Sequence, residues 1–157
     1  MFVNGVVEDR QNLSYIVLLR EKFGERTLPI WIGEPEALAI ARTLESIEYP
    51  RPLTHDLLKL VLDTFQAKVA KIEVVTLKDN TYFAKIYIEC DNRLFVIDAR
   101  PSDSIALAVR AKSVIFVDPK VMDQNGRVLE GDTNISQLKR RLRNTKPEQF
   151  GDFNLSD

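Results

Sequence analysis

Scarcity sets the first bounds on this chain. Among its 157 residues there is one cysteine, Cys90, so no disulfide can close within it and no zinc site can be built from several thiolates. There is one histidine, His55, the sole side chain whose unperturbed pKa lies near neutrality. No apolar run approaches the roughly 20 residues that span a bilayer. The opening MFVNGVVEDR lacks the basic start and apolar core of a signal peptide. Net charge is -1, so bulk charge calls for neither nucleic acid nor an anionic membrane. Standard catalytic signatures are missing as well: no G-x-G-x-x-G, no P-loop, no HExxH, no G-x-S-x-G elbow. These absences point to a cytoplasmic protein with no membrane partner, of a length that fits one domain.

What is present is periodic. Residues 2–8, 13–20 and 27–32 read as short strands separated by polar or glycine-containing turns. Pro29 cannot donate to a ladder, which predicts an edge position for the third strand. The period then changes: Ala37, Ile40, Ala41, Leu44 and Ile47 share one face of a helix over 35–47. A second helix follows Pro50 and Pro52, with Thr54 as expected N-cap, Leu53 and Leu58 as a hydrophobic staple, and Leu57, Leu58, Val61, Leu62 and Phe65 as its apolar face. Strands return at 69–77, 81–89 and 93–98, joined by the hairpin-like KDN and CDN. A helix over 101–112 and a short buried strand over 114–117 come next. Asn125-Gly126 predicts a tight turn. A last helix near 134–143 would carry Lys139, Arg140, Arg141 and Arg143 on its outer face, more simply a solvated face than a nucleic-acid groove.

LPIWIGEPEALAIAR and LFVIDARPSDSIALAVR share a plan of apolar strand, polar turn, proline and small-residue helix, and each closes a set of three strands. The fold class expected is therefore α+β: two three-stranded, mostly antiparallel units, each followed by a helix, an arrangement consistent with internal duplication. Residues 1–145 form the domain and 146–157 a polar tail.

Candidate functional groups gather at strand-to-helix junctions: Glu34 and Glu36; Arg51, His55 and Asp56; Asp98, Arg100, Ser102 and Asp103. Helix starts present free N–H groups and partial positive charge, which suits phosphate. Carboxylates there can instead hold magnesium, which prefers oxygen ligands. Each residue also has a plain structural explanation. Ser102 and Asp103 can serve the first turn of a helix, Glu34 and Glu36 its dipole, and Asp98 a turn. Trp31 reads as core or interface. Cys90 has no thiolate-activating surroundings in the sequence. A triad of Ser102, His55 and Asp98 can be written on paper, but nothing in the sequence brings those atoms together.

RPLTHDLL (51–58) with DARPSDSIALAVRA (98–111), supported by LPIWIGEPEA (28–37) and NTYFAKIYIE (80–89), resembles the bifunctional nuclease family over about residues 1–145. The resemblance implies an α+β domain, often dimeric, and degradation of DNA and RNA in plant relatives. It carries the polar motif onto Glu36, Arg51, His55, Asp56, Asp98, Arg100, Ser102 and Asp103.

Two readings of function follow. In the first, a metal-dependent phosphodiesterase uses Glu36, Asp98 and Asp103 to hold Mg²⁺ or Mn²⁺, His55 with Asp98 and Asp103 as catalytic groups, and Arg51, Arg100 and Ser102 to bind substrate. In the second, the same cleft belongs to a non-catalytic ligand- or protein-binding module of a homodimer. A third, purely structural account assigns the motifs to folding and packing.

Overall fold

A computed structural model describes residues 1–9 and 14–128. The chain runs β1 (Phe2–Asp9), β2 (Ser14–Arg20), β3 (Arg26–Ile32), α1 (Glu34–Leu44), α2 (Thr54–Thr64), β4 (Lys68–Lys78), β5 (Thr81–Cys90), β6 (Arg93–Ala99), α3 (Pro101–Ala111), β7 (Val114–Val117), α4 (Pro119–Asn125) and β8 (Arg127–Val128). It is an α+β fold with two four-stranded sheets, ordered β1-β2-β3-β8 and β6-β5-β4-β7. Each sheet starts as an antiparallel meander and each meander hands over to a helix, as the shared plan predicts. β7 is the exception in direction: it runs parallel to β4, with Ile72 opposite Ile115. The helix expected near 134–143 lies outside the described residues.

Local chemistry explains the elements. The hairpins joining β4, β5 and β6 turn on Asp79-Asn80 and Asp91-Asn92, and all four residues have φ between 48° and 58°. Two successive left-handed residues make a turn whose twist matches the flanking strands, and Asn and Asp tolerate that conformation best after glycine. β3 pairs with β8 only at Arg26 and Thr27, so the Pro29 position meets no partner on that side among the described residues. The expected edge is there, and its cause is the missing N–H.

Three local expectations change. Leu53, not Thr54, occupies the N-cap of α2, and Asp56 reaches back to accept from the Leu53 N–H at 2.9 Å. The carboxylate three residues in satisfies the N–H of the N-cap residue itself, the reciprocal half of a capping box, while no N-cap hydroxyl accepts from the first turn. Asn125-Gly126 is not a hairpin turn but the end of α4, which Asp118 caps by accepting from the Lys120 N–H at 2.8 Å. Gly126 answers a close approach, since a Cβ there would lie 2.5 Å from the Met122 carbonyl. Trp31 stands exposed on β3 rather than in the core.

The core is one cluster shared by both sheets, with α3 at its centre. Ser104, Ile105, Ala106, Leu107 and Ala108 are almost wholly buried, and α3 packs on α1, α2, β4, β5 and β7. Small residues let α3 approach its neighbours closely. The Ser104 hydroxyl is satisfied within its own helix, donating to the Arg100 carbonyl at 2.9 Å. Burying Ile105 and Leu107 stabilises by about 1.5–3 kcal/mol each. α2 differs: it buries no residue fully, and most of its predicted apolar face is exposed.

Candidate active site

Packing α1, α2 and α3 together gathers the first turns of all three helices. The third helical residue is acidic each time: Glu36 in α1, Asp56 in α2 and Asp103 in α3. An arginine meets every one of them. Arg100, at the N-cap of α3, donates from Nε to Asp103 Oδ2 at 2.7 Å and from Nη2 to Glu36 Oε1 at 2.9 Å. One guanidinium thus joins the starts of α1 and α3. His55, on the first turn of α2, places Nε2 3.2 Å from Asp103 Oδ1, which ties in the third helix.

The electrostatics follow from this packing. Burial alone would raise the Asp103 carboxyl, but hydrogen bonds from Arg100 and His55 outweigh it and hold the group below its ordinary value. Asp103 is therefore an acceptor at neutral pH. An ionised carboxylate can only accept, so His55 presents Nε2–H to it. The His55 side chain is largely buried, whereas Arg100 is 67% exposed and can meet a ligand. Glu34 accepts from the Tyr15 hydroxyl at 3.2 Å, which places it at the start of α1 but engages it with β2.

The predicted residues divide. Glu36, His55, Arg100 and Asp103 come together. Arg51 is exposed just before α2, at the same end as His55. Asp98 goes elsewhere. It is opposite Lys85 on β5, while its neighbours Ile97 and Ala99 are opposite Ile86 and Ala84, both core residues. Alternation along a strand puts Asp98 on the outer face of the sheet, away from the helices. Ser102 is buried in the first turn of α3. The triad of Ser102, His55 and Asp98 is therefore not assembled.

The carboxylate set expected to hold Mg²⁺ or Mn²⁺ does not fit a metal as folded. Glu36 and Asp103 share Arg100 as their counter-ion, Asp98 faces the other way, and no group of three His, Cys, Asp or Glu side chains suited to a metal occurs among the described residues.

Sequence reasoning missed Arg110. Its side chain is 8% exposed and donates to Asp56 Oδ1 at 2.6 Å, the Ala106 carbonyl at 2.8 Å and the Ala39 carbonyl at 3.2 Å. It clamps α1, α2 and α3 together one turn below the cluster. The available signal was a lone cation closing the apolar run of 105–109, since a charge on a buried helix needs a partner.

Comparison with known proteins settles the family. A model of the bifunctional nuclease domain matches residues 17–130. The chain belongs to the bifunctional nuclease domain family. An uncharacterised protein of Mycobacterium tuberculosis is 36% identical over 147 residues, covering 94% of this chain and 87% of that protein. Bifunctional nuclease 2 of Arabidopsis thaliana is 29% identical over 121 residues, and bifunctional nuclease 1 of Oryza sativa subsp. japonica 26% identical over 114. These cover 74% and 71% of this chain but only 37% and 34% of the plant proteins. The matched stretch of this bifunctional nuclease domain contains every residue of the cluster just described.

Proposed function

We propose that this domain hydrolyses phosphodiester bonds of DNA or RNA at the cluster of Glu36, His55, Arg100 and Asp103, in the cytoplasm. One observation carries the reading: three helix N-termini converge on a histidine–carboxylate pair beside an exposed guanidinium. Convergent helix starts favour an anion, and a guanidinium matches the geometry of a phosphate. His55 Nδ1 would take the proton from the attacking hydroxyl or water, and ionised Asp103 would stabilise the imidazolium that forms. Arg100 would meet the charge developing on the phosphoryl oxygens. Arg51 lies at the same end of α2 and would hold a neighbouring phosphate. Glu36 fixes Arg100 and is a positioning residue. No step is assigned to a metal, because the carboxylates that would hold it are paired with Arg100 or face away. Asp98 and Ser102 receive no role in this step.

A specific feature favours the second reading. With His55 neutral, Glu36, Asp103 and Arg100 sum to a charge of -1, which does not by itself attract phosphate. A non-catalytic module that binds a partner through the same face would tolerate that balance.

The deciding assay incubates the purified chain with end-labelled single-stranded DNA, duplex DNA and RNA, each with Mg²⁺, with Mn²⁺ and with chelator. Cleavage that falls on the order of 10²–10⁴-fold in His55→Gln, with the fold intact by circular dichroism, is expected. No cleavage under any condition, or a His55→Gln variant as active as the parent, rejects the nuclease reading. A ligand-dependent thermal shift without turnover then supports the binding module.

A further inference from the structure

We propose that Gly33 is a positioning residue of the cluster: the absence of its Cβ gives Glu36 the place from which it holds Arg100. The proposal deepens the nuclease reading and rests on it.

Gly33 is the N-cap of α1, and its backbone there is extended, with φ -71° and ψ 159°. Any residue adopts that conformation, so no turn or strain calls for glycine. Helix starts more often use Ser, Thr, Asp or Asn, whose side-chain oxygen accepts from the first turn. Asp118 does so for α4, whereas Gly33 has no side chain to offer α1. What glycine supplies is room. A Cβ at position 33 would lie 2.5 Å from Glu36 Oε2, well inside van der Waals contact. The next nearest atoms, Glu36 Cδ at 3.6 Å and Pro35 Cδ at 3.7 Å, are ordinary neighbours. The conflict is therefore with one carboxylate oxygen and not with the backbone. The acid at the same position of α2, Asp56, is one methylene shorter and coexists with the Cβ of its own N-cap, Leu53.

The other oxygen of Glu36 serves the cluster. Oε1 accepts from Arg100 Nη2 at 2.9 Å, which links the starts of α1 and α3. A carboxylate is a rigid plane. Turning it to free Oε2 swings Oε1 off Nη2, and withdrawing the whole side chain takes Oε1 with it. Arg100 would still reach Asp103, through Nε at 2.7 Å and Nη2 at 3.1 Å. It would lose its anchor on α1, and a guanidinium that is 67% exposed then pivots about Asp103 alone. A donor that meets charge developing on a phosphoryl group works by being held in place beforehand. Loss of one anchor therefore falls on the chemical step more than on binding.

Steady-state cleavage of the substrate that the parent cuts, measured for four variants, tests this. Gly33→Ala is expected to lower kcat on the order of 10–10²-fold, with KM changed less than about threefold and Tm within about 2 °C of the parent. Gly33→Ser adds a capping oxygen, so its Tm should equal or exceed the parent's while kcat falls as in Gly33→Ala. Glu36→Ala leaves no carboxylate to displace, so adding Gly33→Ala to it should change kcat by less than about twofold. A Gly33→Ala enzyme as active as the parent, losses that multiply in the double variant, or a crystal structure of Gly33→Ala with Glu36 still bonded to Arg100 each overturns the proposal and leaves the nuclease reading standing. A parent without cleavage overturns both. Should Gly33→Ala not fold, Gly33→Ser decides.

Discussion

Asp56→Ala should cost both stability and activity, although Asp56 touches nothing in the cluster. Its Oδ1 accepts from buried Arg110 at 2.6 Å and its Oδ2 caps α2 through the Leu53 N–H at 2.9 Å. Removing one partner of a fully buried ion pair costs about 3–5 kcal/mol. Asp56 is 39% exposed, so water reaches Arg110 from that side and replaces part of the interaction. Loss of the cap adds about 1 kcal/mol. Together these give an expected cost of about 2 kcal/mol, or roughly 6 °C in Tm for a chain of this size. Asp56→Asn keeps an oxygen for the Leu53 N–H and should lose about half as much. His55 is the adjacent residue, so a frayed α2 start moves the imidazole away from Asp103, and nuclease turnover should fall further than the unfolded fraction explains. Urea unfolding and calorimetry measure the first effect, single-turnover cleavage the second. An Asp56→Ala variant within about 1 °C of the parent would refute the reasoning, since it would show Arg110 content without its carboxylate.

Other expectations follow from the same geometry. Arg100→Met removes a mostly exposed cation, so Tm should change by less than about 3 °C while cleavage collapses; equal losses of both would make Arg100 structural. Leu107→Ala at the buried centre of α3 should destabilise by about 2–5 kcal/mol in urea titration. Asp56 and Asp103 both have carboxyls held below their ordinary value, so their contribution to stability is full above the pKa of an unperturbed aspartate and is lost as pH falls through the depressed native values. The urea midpoint should drop between about pH 5 and pH 3, and Asp56→Asn should flatten that drop; an unaltered slope counts against the pairing.

The sequence by itself determined a good part of this protein. Period-two runs marked the strands of both meanders, and paired Asp-Asn turns set the second, because alternation and left-handed turn residues act over a few positions. Small apolar residues at helical spacing marked α3 as the centre of the core. The acids at the starts of α1, α2 and α3 were legible as helix-start chemistry. Tertiary structure alone decided which of them meet. Asp98 and Asp103 are five residues apart, yet strand alternation sends one to the outer face while a helix turn sends the other to His55. Arg100 reaches Glu36, and Arg110 reaches Asp56, only through helix packing, and the exposed faces of α2 and β6 were hidden for the same reason, since periodicity says which side of an element is apolar and not what covers that side.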